Sequence, residues 1–96
     1  MIRAAKVDSN QKEIIKTFRQ LGAYVIHTHQ IKNAFDCLVF FNGKIYPCEI
    51  KDGKKAPSAR KLTEGELKCK NEIELQRCQY HVITNIEDVI KLLNNI

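Results

Sequence analysis

The sequence predicts an α/β or α+β fold, a sheet with helices packed on it, in the order αβββαβ with a further helix at the C-terminal end. Three observations carry that expectation. Apolar residues recur at helical spacing near both ends of the chain. Two β-rich runs in the middle are joined by Asn42-Gly43. A short apolar run, Tyr80 to Thr84, follows them after a capped helix. The 96 residues read as one domain, 1–96, without repeats, linkers or low-complexity segments.

The elements are justified in turn. Asp8-x-x-Gln11 has the form of a capping box, and Ile14, Ile15, Phe18 and Leu21 fall on one face. A first helix is therefore expected from about Ser9 to Leu21. Gln11 shares its apolar face, whereas Glu13 lies with Thr17 and Gln20 on the polar one. Ala23 to Thr28 is rich in β-branched and aromatic residues and reads as a strand. Ala34 to Phe41 and Lys44 to Lys51 read as the arms of a hairpin, because Asn-Gly suits the positive φ values of a type I′ turn. Asp52 to Leu62 is a basic loop. Thr63-x-x-Glu66 is a second capping box, and the helix behind it reaches about Arg77 with weak apolar periodicity. Tyr80 to Thr84 is a short strand. Ile86, Val89, Ile90 and Leu93 mark the last helix.

Hydrophobic residues make up 44% and charged residues 28%, an ordinary globular composition in which nothing suggests disorder. Sixteen Lys and Arg against eleven Asp and Glu leave a net charge of +5, which favours a polyanionic partner such as nucleic acid. Met1 to Lys6 lacks the apolar run of a signal peptide, and no stretch approaches the roughly 18–20 apolar residues of a membrane span. The expectation is a cytoplasmic protein with no membrane association. Cys37, Cys48, Cys69 and Cys78 form no CxxC pair and are expected to be buried thiols, ahead of a structural zinc site.

The two-residue turn sets the hairpin register: opposed residues have numbers summing to 85. Asp36 then faces Glu49 as a non-hydrogen-bonded pair, with Cβ atoms about 4.5–5.5 Å apart. Lys51 shares that face, two residues on. Pro47 lacks a donor on the side away from its hairpin partner, a place for a bulge or a sheet edge. Leu38, Phe40 and Ile45 on one face, and Phe35, Val39, Tyr46 and Ile50 on the other, imply a sheet covered on both sides. Two opposed carboxylates are costly in that setting unless a divalent cation joins them. Mg²⁺ or Mn²⁺ suits Asp36, Glu49 and the backbone carbonyl of Ile50, and such a metal activates water and stabilises a phosphate. Lys51 is placed to polarise the water or neutralise the phosphate. The alternative is a strand-end Asp36 beside a solvated Glu49–Lys51 pair. Gln11, on the buried face of the first helical turn, is either a cap or a fourth residue aimed at the site.

These residues resemble the PD-(D/E)XK nucleases, whose motif is matched by Asp36 and then Glu49-Ile50-Lys51 on two hairpin strands. The wider pattern is similar to the compact stand-alone VRR-NUC type found in phages and bacteria. It is carried by Asp8 to Ile14, Asp36 to Val39, and the run from Glu49 to Thr63. The resemblance implies an αβββαβ core, Mg²⁺ or Mn²⁺ dependence, and phosphodiester hydrolysis by homodimers acting on branched DNA, as in Holliday-junction resolvases. It makes Asp36 and Glu49 metal ligands and Lys51 the catalytic lysine. The first-helix position, often Glu in related resolvases, falls on Gln11 rather than Glu13. Two positions depart from the pattern. Phe35 stands where a Pro often precedes the Asp. Leu67 stands where a Gln often opens the second conserved helix, so its role is vacant or passes to Glu66.

Lys54, Lys55, Arg60 and Lys61 follow the candidate catalytic strand and are expected to hold the DNA backbone, with Arg3 and Lys6 as weaker candidates. His27-x-His29 has the spacing of a metal pair but lacks an evident third ligand. Cys37 and Cys48 face each other away from the site, as a packed pair. Phe35, Phe40 and Phe41 are expected in the core. The function read from this is a metal-dependent DNA endonuclease for branched DNA. The rival readings are a flap, nick or duplex nuclease, a non-catalytic nucleic-acid-binding module, and a partner-binding protein with incidental acids.

Overall fold

The computed structural model describes residues 9–94. Its elements are α1 (Gln11–Gln20), β1 (Tyr24–His27), β2 (Cys37–Phe41), β3 (Lys44–Ile50), α2 (Glu64–Leu75), β4 (His81–Ile83) and α3 (Ile86–Leu93), with a 3-10 turn at Pro57–Arg60 in the basic loop. This is the αβββαβ order with a C-terminal helix. The sheet runs β1-β2-β3-β4, antiparallel except for the parallel β3–β4 pair.

Asn42 and Gly43 take φ values of +50° and +79°, so the turn has the handedness expected of Asn-Gly. The register follows it, from Phe41 opposite Lys44 to Cys37 opposite Cys48. Pro47 stays in register with Leu38, and pairing to β4 begins one residue beyond it. The missing donor of Pro47 therefore falls where β3 has no second neighbour.

α1 starts two residues later than its sequence signal suggests. Asp8, the expected cap, lies outside the described residues. Asn10 occupies the cap position without capping through its side chain. Its amide instead donates to the carbonyls of Lys51 and Thr84, both at 3.1 Å. Ser9 donates to Asp52 at 2.8 Å. Tertiary partners have thus taken the side chains that would cap the helix. They lock the start of α1 to the ends of β3 and β4. Gly53 completes this junction: a Cβ there would stand 2.8 Å from the Thr84 carbonyl oxygen.

The core lies on one face of the sheet. Ile14, Ile15 and Phe18 of α1 and Val89, Leu92 and Leu93 of α3 pack on Val25, Val39, Ile50 and Ile83, with Cys37 and Cys48 among them. On α3 the buried stripe is Val89, Leu92 and Leu93, while Ile86 and Ile90 are partly exposed. The other face of the sheet is open, which corrects the expectation of two covered faces. Tyr24 is 67% exposed, Ile45 61% and Ile26 40%. Phe40 lies on this face, against Tyr24, and so is not a core residue. α2 has no buried residue, in keeping with its weak periodicity, and reaches that face where its Glu66 meets Lys51 and Glu49. All four cysteines are free thiols. Only Cys37 and Cys48 are buried, because Cys69 and Cys78 lie on and just after this uncovered helix. Among the described residues no helix is long and apolar enough to cross a membrane.

Candidate active site

The end of β3 presents Glu49 on the open face, Ile50 to the core and then Lys51 on the open face. Asp36 arrives from the opposite arm, one residue before β2 begins. Thr28 aims it. The Thr28 amide donates to the Asp36 carbonyl at 2.8 Å, and its hydroxyl donates to the Phe35 carbonyl at 2.6 Å. Asp36 donates its own amide to the Cys48 carbonyl at 3.0 Å. Its carboxylate then accepts the Ile50 amide at 2.7 Å.

This corrects the expected direct pairing of Asp36 with Glu49. In an unbroken ladder Phe35 and Ile50 would exchange backbone hydrogen bonds. Here Thr28 takes the Phe35 carbonyl and the Asp36 side chain replaces it. Regular pairing stops at Cys37 and Cys48, and Asp36 and Glu49 meet through side chains instead. Both are buried, at 8% and 4% exposure. They sit in the wall of a cavity of about 360 Å³ at one end of the open face, which Glu66 of α2 also lines.

Lys51 Nζ lies 3.6 Å from Glu49 Oε2 and 2.8 Å from Glu66 Oε1. Glu66 comes from the first turn of α2. The same Oε1 accepts the Thr63 amide at 2.8 Å, while the Thr63 hydroxyl accepts the Glu66 amide at 3.2 Å. The predicted capping box is therefore present, and its glutamate also grips the candidate catalytic lysine.

Burial disfavours the charged form of both acids of the pair. Burial pushes the Glu49 carboxyl from 4.5 up to about 10, helped by its hydrogen bond to Glu66 and the nearby charge of Asp36, and opposed by Lys51. Burial also raises Asp36, against the pull of the Ile50 amide and a hydrogen bond from Glu49. For Glu66 burial is outweighed by Lys51, the Thr63 amide and Glu49, which hold it below the usual range. Among the described residues no group of three or more His, Cys, Asp and Glu is arranged to hold a metal. The available donor set is two buried carboxylates and a strand-end carbonyl. This fits a hard divalent cation that keeps several waters.

The sequence-predicted residues divide as follows. Asp36, Glu49 and Lys51 come together, and Lys55 and Lys61 line the same cavity. Lys54 lies instead in a neighbouring groove with Asp52, Thr84 and Glu87, and Arg60 folds back on the Gly53 carbonyl at 3.3 Å. Gln11 is buried on the inward face of α1 with an unpartnered Oε1, and lines a groove beside the cavity rather than the cavity itself. Glu13 faces away with Asn10 and Lys54. Leu67 is 46% exposed and makes no part of the cavity wall, so Glu66 is the residue α2 contributes. Phe35 lines the cavity and Phe41 packs against the core. The rings of His27 and His29 meet edge to face at 5.6 Å. Arg3 and Lys6 lie outside the described residues.

Tyr80 feels the charge of Glu49, although sequence reading placed it only in a strand. It is buried, its hydroxyl has no hydrogen-bond partner, and burial and the charge of Glu49 raise its pKa. An aromatic residue before a short strand gives no sequence signal of such a place.

No protein-family model matches the sequence, and no curated protein does. Among solved structures, one described as a VRR_NUC domain superposes on 96% of this chain and 98% of its own length, with a TM-score of 0.68 and 24% sequence identity. The chain therefore has the fold of a VRR_NUC domain, with the hairpin that carries Asp36, Glu49 and Lys51 at its centre.

Proposed function

We propose that this chain is a metal-dependent DNA endonuclease that hydrolyses phosphodiester bonds in branched DNA as a homodimer. The observation that carries the reading is the buried Asp36–Glu49 pair with Lys51 beside it, in a cavity that also holds Lys55 and Lys61. A neutral pocket would suit a neutral ligand. This one combines an acid pair that calls for a cation with basic walls that suit a polyanion.

Asp36, Glu49 and the Ile50 carbonyl would hold Mg²⁺ or Mn²⁺. When bound, the ion supplies Lewis-acid stabilisation of the phosphate and lowers the pKa of a coordinated water. The remaining work falls to side chains. Lys51 directs ammonium protons toward the reacting phosphate and balances the charge that develops there. Glu66 is a positioning residue: it accepts one Lys51 hydrogen bond and fixes the ammonium beside Glu49. Lys55 and Lys61 hold the backbone next to the scissile bond. The homodimer draws support from the open apolar face, where Tyr24, Ile26, Phe40 and Ile45 lie on the same side of the sheet as the site. A second copy covering it would bring two active sites together, one per strand.

Calorimetric titration with Mn²⁺ tests the centre. Wild type is expected to bind, and Asp36→Ala to lose most of the affinity. Absence of binding to wild type, or equal binding to the variant, contradicts the reading.

A further inference from the structure

α1 carries a basic row that the candidate active site does not use. Lys12, Lys16 and Arg19 are exposed, and helical geometry places them within about 60° of one another around the axis. They line one side of a groove of about 810 Å³, which His27 and His29 line as well. Among the described residues no acidic side chain lines it. Arg19 is braced against the edge strand through the Val25 carbonyl at 3.3 Å. His29 lines both this groove and the cavity of Asp36, Glu49 and Lys51, so the two are neighbours.

We propose that this flank of α1 is a second DNA-backbone site, holding the phosphates of a duplex arm that leaves the active site past His29. The proposal rests on the nuclease reading above and extends it. The loop lysines Lys55 and Lys61 grip backbone inside the cavity, whereas Lys12, Lys16 and Arg19 grip it outside. From Lys12 to Arg19 the helix rises about 10 Å. That spans about three phosphates of one strand at 3.4 Å of axis each. The charge, its spacing and the absence of acids in the groove fit a phosphate backbone. Lysine at two of the three positions fits recognition without base specificity.

The test is fluorescence anisotropy with a labelled duplex and a labelled four-way junction in EDTA, repeated over a series of salt concentrations. Lys12→Gln/Lys16→Gln keeps the side-chain stems and alters only exposed positions. Its salt dependence is expected to be shallower by about 1.8 in log–log slope, two contacts at about 0.9 each. Its affinity is expected to fall about tenfold near 0.1 M salt. Single-turnover cleavage at saturating enzyme should stay within about twofold of wild type. Lys91→Gln, on exposed α3 surface, removes one charge elsewhere and should leave the slope unchanged. An unchanged slope and affinity in the double variant overturns the inference and leaves the nuclease reading standing. So does an equal loss per charge in Lys91→Gln, which would mark a general charge effect. A wild type that neither binds nor cuts DNA overturns both.

Discussion

Asp36 accepts the amide hydrogen of Ile50 at 2.7 Å and so takes the place that a backbone carbonyl holds in an unbroken hairpin. One carboxylate thus ends the β2–β3 ladder and serves as half of the acid pair. The two roles separate by substitution. Asp36→Asn keeps an acceptor for Ile50 and loses the charge, so it should be at least as stable as wild type. Asp36→Ala leaves the amide unsatisfied and should be less stable than Asp36→Asn by about 1–3 kcal/mol. Both should cleave at least about a hundredfold more slowly. Chemical denaturation beside single-turnover cleavage checks this. Equal stability of the two variants would contradict the account of the hairpin end.

Glu66 joins the cap of α2 to Lys51. Glu66→Gln retains an acceptor for both the Thr63 amide and the lysine. It is expected to keep the fold and to lose roughly three- to tenfold in cleavage rate, as the ammonium is held less firmly. Glu66→Ala removes the cap as well, at about 1 kcal/mol, and should lose more activity than the glutamine variant. Thr63→Ala is the control: it weakens the cap and leaves the Lys51 contact. If Thr63→Ala slows cleavage as much as Glu66→Ala, the positioning role fails.

Glu49 makes metal-free stability depend on pH. Its carboxyl titrates near 4.5 when unfolded and at about 10 in the folded, metal-free protein, so folding favours the protonated form. The stability this contributes is fully present below about 4.5 and is lost as pH rises toward about 10. The melting temperature in EDTA should therefore fall from pH 6 to pH 9, and Glu49→Gln should flatten the fall. Mn²⁺ should restore the wild type, and its affinity should rise with pH because binding displaces the Glu49 proton. A wild-type melting temperature that rises with pH in EDTA would contradict this.

The open face predicts an assembly. Ile45 is 61% exposed on the open face, opposite Phe40. Ile45→Glu should convert a dimer to monomers in sedimentation velocity while raising solubility and leaving the monomer folded. An unchanged oligomeric state would place any dimer contact elsewhere.

Much of this molecule was legible in the sequence because its decisive features are local. Asn42-Gly43 dictates a turn, the turn dictates register, and register brings the ends of β2 and β3 together wherever the rest of the chain goes. Thr63 and Glu66 announce a helix start by spacing alone. What escaped depends on contacts distant in sequence. Asn10 falls inside the expected first helix until its amide binds the Lys51 and Thr84 carbonyls and α1 starts after it. The Asp36 carboxylate replaces a carbonyl only because Thr28 has claimed that carbonyl. Apolar residues on both sides of a hairpin cannot reveal that one side stays uncovered, so the exposure of Tyr24 and Ile45 was not foreseen. Lys54 and Arg60 show the same limit: four basic residues in one loop point in different directions once the 3-10 turn forms.

The most direct test of the central claim is cleavage of a labelled four-way junction beside duplex, flap and single strand in Mn²⁺, comparing wild type with Lys51→Ala. The account predicts that wild type cuts the junction in preference to duplex. It also predicts that Lys51→Ala cuts about a hundred- to a thousandfold more slowly with Mn²⁺ binding retained. Cleavage by Lys51→Ala as fast as wild type, or no cleavage of any of the four substrates by wild type, would contradict it.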